Sequence, residues 1–357
     1  MKSLKSKLIV LLVFSVVIPT FSLPLVWGAE DSWTTLEPMP TARSGLGVAV
    51  VDGKIYAIDK GINYEYDPST GLWTTKKPMP TPMSGFGIAV FDNKIYVIGG
   101  STGDYTYTDV NEVYDPAIDT WETRTSMPTK RLGLSASVVD GKIYLIGGRI
   151  GEPTYAGVSA TEVYDPSTDT WTTVDSIPTP VSSHASAVVG NKIYIMGGYT
   201  RNTGGVNLNQ IYDPETDTWS NGASLPTGVD GAAAGVTAGT TSTQRIFVIG
   251  GKRGIDAVNL NQVYDPKTDT WVSGPTMPTA RYGLGVAIVD NSLYAIGGRE
   301  GWFGSPVSAA NERYTPADFV PEFPSWTPLL VMLVAVVAVT VIFRQRLSTK
   351  NQGRIDQ

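Results

Sequence analysis

One phrase returns five times in full and constrains this chain more than any other feature. Tyr66-Asp67-Pro68 leads to Trp73, Tyr114-Asp115-Pro116 to Trp121, Tyr164-Asp165-Pro166 to Trp171, Tyr212-Asp213-Pro214 to Trp219, and Tyr264-Asp265-Pro266 to Trp271. A second phrase interleaves with it. Ile95-Tyr96-Val97-Ile98-Gly99-Gly100 is echoed at 143–148, 193–198, 246–251 and 293–298. A period of about fifty residues means one supersecondary unit stacked on copies of itself, because such a unit cannot bury both of its faces alone.

Each unit parses into four strands, as in residues 129–178. Runs rich in β-formers at 134–139, 142–146, 161–164 and 171–174 are bounded by turn residues. Asp140-Gly141 suits a two-residue hairpin, since glycine accepts positive φ without steric cost. Asp165-Pro166-Ser167-Thr168-Asp169 joins the last two strands, with proline fixing φ and aspartate able to cap backbone amides. The first strand of each unit is small: Ser135-Ala136-Ser137, Ala185-Ser186-Ala187 and Ala232-Ala233-Ala234 fit where sheets converge on an axis. Tyrosine and tryptophan on the later strands suit a wider rim.

The paired glycines, the spaced tyrosine and the tryptophan that follows resemble the kelch repeat over residues 33–316. That resemblance implies an all-β fold, a six-bladed β-propeller with blades at 41–80, 81–128, 129–178, 179–226, 227–278 and 279–316. The sixth unit stops after Arg313-Tyr314-Thr315-Pro316 without a tryptophan strand. Trp33-Thr34-Thr35-Leu36-Glu37-Pro38-Met39-Pro40 copies the missing phrase, so an N-terminal strand is expected to complete the last blade and remove the free edges. Two blades depart from the pattern. The first has Asp59-Lys60 where the glycine pair belongs, which stunts its loop, and 238–244 lengthens the first hairpin of the fifth.

The ends read differently. Residues 1–29 have a basic start at Lys2, Lys5 and Lys7, an apolar stretch at 8–17 and a Gly28-Ala29 exit, the pattern of an export signal peptide. After the propeller, taken as 30–318, come a Pro-rich linker at 319–325, an uncharged apolar run at 326–343 and a basic tail at 344–357. The run is long enough for a transmembrane helix, and Arg344, Arg346, Lys350 and Arg354 place the tail in the cytoplasm and the propeller outside. Pro321-Glu322-Phe323-Pro324 ahead of that helix resembles the PEF-type C-terminal sorting signal of archaeal surface proteins; a stiff linker before a permanent anchor is the alternative.

Of 27 basic residues, three lie in the signal and four in the tail, leaving 20 against 32 acidic ones on the exported body. A surface that acidic repels phosphate backbones, so nucleic acid is not expected as a partner. With no cysteine and one histidine, the chain cannot build the Cys–Tyr radical copper site of kelch oxidases resembling galactose oxidase, nor a closed zinc shell. No cofactor is expected. Asp67, Asp115, Asp165, Asp213 and Asp265 sit in different blades and cannot converge on one calcium ion, so turn capping explains them.

Site candidates are the positions that break the repeat at one mouth of the ring. Arg43, Arg131 and Arg281 precede the first strand in three blades, where the others have Met83, Val181 and Val229. In kelch domains that capture acidic peptides, arginine at this place faces the central opening, which the resemblance carries over; hydrogen bonding to loop carbonyls is the plainer alternative. Loops after the glycine pairs add Ser101, Arg149, Tyr199, Arg201, Lys252, Arg253 and Arg299, with Tyr105, Tyr107, Tyr155, Trp302 and Phe303 as extra aromatics. His184 begins the first strand of the fourth blade and is expected near the axis. The first reading is a non-catalytic, membrane-anchored module whose loop face binds a protein or glycan, the propeller working as a monomer. A metal-free carbohydrate enzyme resembling N-acetylneuraminate epimerase, with Glu300 or Glu152 as acid or base, and a structural envelope protein are the alternatives.

Overall fold

The computed structural model describes residues 31–103, 106–151, 156–237, 244–301 and 304–316. The expected segments at 1–29, 319–325, 326–343 and 344–357 lie outside these, as do Tyr105, Glu152, Tyr155, Trp302, Phe303 and most of the 238–244 insertion. Among the described residues no helix is long and apolar enough to cross a membrane.

Six four-stranded antiparallel sheets follow one another around an axis. The third is typical: Leu132–Val139, Lys142–Arg149, Thr161–Asp165 and Thr170–Val174. In the second strand Ile143, Tyr144, Leu145 and Ile146 are all buried, because this strand has a neighbouring blade on each face. The outermost strands are largely exposed, with their tryptophans turned inward. Core clusters form at the seams between blades; in one, Ala89, Ile98 and Val113 of blade 2 meet Ile143, Leu145 and Tyr164 of blade 3. Asp140 (φ 48°) and Gly141 (φ 76°) both lie in the left-handed region, as a two-residue hairpin with the twist of its strands requires.

Two belts hold the blades in register. At the rim, Trp73, Trp121, Trp171, Trp219, Trp271 and Trp33 each donate their indole N–H to a carbonyl of the preceding blade: Glu37, Lys77, Thr125, Asp175, Ala223 and Pro275, at 2.8–3.1 Å. In four blades the turn aspartate reinforces this seam. Asp169 Oδ1 accepts both the Tyr164 hydroxyl at 2.6 Å and the Thr125 N–H of the blade before at 3.0 Å, and Asp119, Asp217 and Asp269 repeat the arrangement. The other repeated aspartates cap their own turns; Asp165 Oδ1 takes the Ser167 N–H at 2.9 Å.

At the axis, one residue per blade passes its N–H to the next carbonyl in a closed circle. Gly45 donates to Gly283, Gly283 to Gly231, Gly231 to Ser183, Ser183 to Gly133, Gly133 to Gly85 and Gly85 to Gly45, all at 2.7–2.9 Å. All six residues have φ between 51° and 76°, a conformation that glycine adopts without cost and Ser183 adopts under strain.

The ring closes as expected. Ser32–Thr35 pairs antiparallel with Asn311–Thr315, Trp33 opposite Tyr314, so the sixth sheet takes its outer strand from the beginning of the chain. The stunted first blade is also present: Asp59 pairs with Ile62 across a two-residue turn. Trp33 stacks on Tyr314 with ring centroids 5.2 Å apart and bonds Pro275. Trp33→Ala is therefore expected to lower unfolding free energy by about 2–3 kcal/mol, less than for a fully enclosed ring. Trp33→Phe, which loses mainly the hydrogen bond, should cost about 1 kcal/mol. Chemical denaturation of the two variants checks the ordering.

Candidate functional site: the axial mouth

In four blades the loop entering the first strand is bridged to the loop that follows the glycine pair. Backbone bridges link Ser84 to Ser101, Ser182 to Tyr199, Asp230 to Lys252 and Tyr282 to Arg299. In blades 2, 4 and 5 the second loop folds into a small hairpin: Ser101–Gly103 with Thr106–Tyr107, Tyr199–Thr200 with Gly204–Gly205, and Lys252–Arg253 with Asp256–Ala257. Tyr199 and Lys252 of the blade 4 and 5 hairpins, with Arg149 of blade 3, wall a mouth of about 520 Å³ around the axial hydrogen-bond circle. A channel of about 230 Å³ continues below it, lined by small first-strand residues such as Gly47, Ala136, Ser186 and Ala234.

The mouth has two unlike sides. Leu46, Phe86, Leu134 and Leu284 make one side apolar, while Arg149, Ser182, Ser183, His184, Tyr199, Asp230, Lys252 and Tyr282 make the other polar. Lys252 Nζ lies 3.4 Å from Asp230 Oδ2 and 5.6 Å from the centre of the Tyr282 ring. Burial pushes the Asp230 carboxyl above its ordinary range, and the Lys252 charge partly offsets this. Ser183 is the one member of the axial circle with a side chain, and it is exposed to the opening.

His184 is buried, its Nε2 2.9 Å from Ser135 Oγ. Burial above all, with a smaller push from the Arg131 charge, holds its pKa down at about 4.

Arg149, Tyr199, Lys252 and His184 thus meet at the mouth as the sequence suggested. Arg201 and Arg253 line a separate groove on the flank of blade 4. Arg299 Nη1 donates to the Ser305 carbonyl. Arg43 is half-buried, and its charge draws down the carboxyl of buried Asp59, which burial itself raises.

The expectation that Arg131 and Arg281 face the opening is corrected. Both are fully buried inside their own blades. Arg131 donates to the carbonyls of Leu145, Gly147 and Ala160 at 2.9–3.2 Å and to Glu162 Oε2 at 3.0 Å. Arg281 does the same with Ala295, Gly297, Ala310 and, at 2.7 Å, Glu312. The guanidinium turns inward because a carboxylate and three carbonyls at the ends of strands wait there, a fuller shell than the mouth offers.

A signal for this was in the chain. The glutamate stands 31 residues after the arginine in both pairs. Where that arginine is Val181 or Val229, the same place holds Gln210 or Gln262, whose amide bonds Thr179 or Thr227 instead. Glycine two residues after the arginine, at 45, 133 and 283, likewise marks the axial circle, which the strand reading did not single out.

Removing one partner strands a buried charge, so Arg131→Ala should cost about 3–5 kcal/mol. Arg131→Val with Glu162→Gln, the combination native to blades 4 and 5, should recover most of that loss in thermal unfolding. A large deficit in the double variant would contradict the exchange.

His184 gives a pH prediction. Its folded pKa of about 4 lies below the ordinary 6.5, so between those values the unfolded chain binds the proton more readily. Its contribution is complete above pH 6.5 and is lost as pH falls toward 4, on the order of 3 kcal/mol in all. His184→Gln should remove that part of the acid-dependent loss, read as the difference between two denaturation series. As the chain's sole histidine, it can be followed directly by its imidazole resonances.

Comparison with known proteins agrees with the architecture. The KLHDC2/KLHL20/DRC7 Kelch-repeats domain model matches residues 59–198 and 122–298, together more than half the chain. The human "Kelch repeat and BTB domain-containing protein 13" is 37% identical over 90 residues, 24% of this chain and only 19% of that protein's length. A solved structure, that of YjhT, superposes with a TM-score of 0.68 at 18% identity, covering 79% of this chain and 98% of the other, a likeness of fold. The blade count, the closing strand and the matched residues agree, and the chain belongs to the kelch-repeat family.

Proposed function

We propose that this propeller is a non-catalytic binding module, displayed outside the cell by a C-terminal anchor, whose axial mouth takes up an anionic protein or glycan ligand. The observation that carries the reading is the two-sided mouth. Arg149 and Lys252 bring two cations, Tyr199 and Tyr282 bring amphipathic rings, and Leu46, Phe86, Leu134 and Leu284 bring an apolar wall. Such a surface holds a ligand by charge and by ring or side-chain packing together.

The enzyme reading has less support. Acid–base work needs two groups poised at the opening, but Asp230, the one carboxylate among its described lining residues, is tied to Lys252, and the His184 imidazole is a weak base. Glu300 is not among the residues that line the mouth, and Glu152 lies outside the described residues.

The anchoring part of the proposal rests on residues 1–29 as an export signal and 326–343 as a membrane span, with Pro321-Glu322-Phe323-Pro324 as the stiff linker between propeller and anchor. A tag at the C terminus should be shielded from protease added to intact cells while the propeller is cleaved. The reverse pattern overturns the orientation.

For the mouth, the full-length chain is applied to glycan and peptide arrays and its best ligand titrated. Arg149→Ala and Lys252→Ala should each weaken binding about tenfold, the size of one charge-assisted hydrogen bond. Unchanged affinity in both variants removes the mouth from the hypothesis.

A further inference from the structure

Beside the mouth, on the flank of the blade 4 hairpin, lies a groove of about 910 Å³. The two are divided by the hairpins of blades 4 and 5, and strand alternation sends consecutive residues to opposite sides of that wall. In blade 5, Lys252 lines the mouth and Arg253 the groove; in blade 4, Tyr199 lines the mouth and Thr200 and Arg201 the groove.

Among the described residues lining the groove the charged groups are Arg253 and Arg201, the latter already engaged within the protein, whereas the body as a whole carries 32 acidic against 20 basic residues. Among the described lining residues, Arg149 and Lys252 at the mouth and Arg253 in the groove stand against one carboxylate, Asp230, a local reversal of the molecule's field. The uncharged lining is equally specific. Thr179, Thr200, Asn202, Thr203 and Asn207 offer hydroxyls and amides that both donate and accept, beside Pro180, Val206 and Leu208, and the described lining residues include no aromatic ring.

We infer that the groove is a second binding site, and that the ligand is a chain of carboxylated sugars running from the mouth over the wall into the groove. Sugar hydroxyls meet the threonine and asparagine side chains, and the carboxylates of successive units meet Lys252 and Arg149 on one side and Arg253 on the other. Rings stack on Tyr199 and Tyr282 at the mouth. This rests on the reading of the mouth as a binding site and adds the chemical class of the ligand and its path.

The test titrates the full-length chain with four probes: a two-unit oligogalacturonate, one of about ten units, its methyl-esterified form, and polyglutamate of similar length. The ten-unit acid should bind more tightly than the two-unit one, weaken with rising salt, and lose affinity on esterification. Arg253→Ala, at an exposed position, should weaken the ten-unit acid about five- to tenfold and leave the two-unit acid unchanged. If Arg149→Ala weakens the long acid and Arg253→Ala does not, the groove is not a site and the mouth reading stands. If neither matters, or no acidic sugar binds, both readings of sugar capture fail. Polyglutamate bound as tightly as the ten-unit acid overturns the sugar assignment in favour of an acidic peptide.

Discussion

A ring of sheets is stable only if it has no first and no last member. Every blade here lends one face to the blade before and one to the blade after, and a single unpaired sheet would expose both an apolar face and a row of unpaired amides. The chain meets that constraint by giving the strand that precedes its first blade to its last: Ser32–Thr35 beside Asn311–Thr315 lets Trp33 reach Pro275 as every other rim tryptophan reaches its predecessor. The axial circle of six amides depends on the same closure, since Gly45 can bond Gly283 only when blade 6 stands against blade 1. Both belts are cyclic, so each bond holds its geometry partly because the others exist.

Within that symmetry, the chain solves one packing problem in several ways. Near the start of the third strand each blade buries a polar side chain beside the threonine that opens the unit. Blades 3 and 6 answer with Glu162 and Glu312 bound to Arg131 and Arg281; blades 4 and 5 answer with the neutral amides of Gln210 and Gln262 beside Val181 and Val229. Ion pair and amide coexist in one fold because a buried pair recovers little more than its desolvation, so either answer serves. Blade 2 is the exception that mixes them. Glu112 is buried against Met83 with no cation, held by the Thr81 hydroxyl at 2.6 Å, and burial pushes its pKa up. Blade 1 has the opposite remainder, Arg43 with Tyr64 in the glutamate's place and the hydroxyls of Tyr64 and Thr41 2.9 Å apart.

Those substitutions explain what was legible in advance and what was not. Blade number, strand order and closure follow from repetition, because a phrase that recurs must occupy equivalent places and Trp33 had nowhere else to go. The direction of a long side chain does not follow. Arginine at 131 can reach either the axis or the blade interior from the same backbone position, and the choice is made by Glu162, 31 residues away. The resemblance pointed to the opening, and the carboxylate decided otherwise. Arg149, Tyr199, Lys252 and His184 were placed at the mouth correctly because they sit close to the bridged loops that encircle it. The groove holding Arg201 and Arg253 was hidden, since it exists only once two short hairpins stand side by side.

The positions where the blades stop agreeing then acquire meaning. Five of the six axial residues are glycine, and the sixth, Ser183, accepts a left-handed conformation and presents a hydroxyl to the opening. His184 follows it, Asp230 precedes the next axial glycine, and Arg149, Tyr199 and Lys252 rise from the loops of the same three blades, 3 to 5. Blades 1, 2 and 6 supply most of the apolar wall, through Leu46, Phe86 and Leu284. Stability asks each blade to repeat its neighbour, and nothing in the two belts requires blades 3 to 5 to differ in this way. A departure that leaves the belts intact and gathers charge, hydroxyl and aromatic groups on one sector of one face is the ground on which the binding proposal stands.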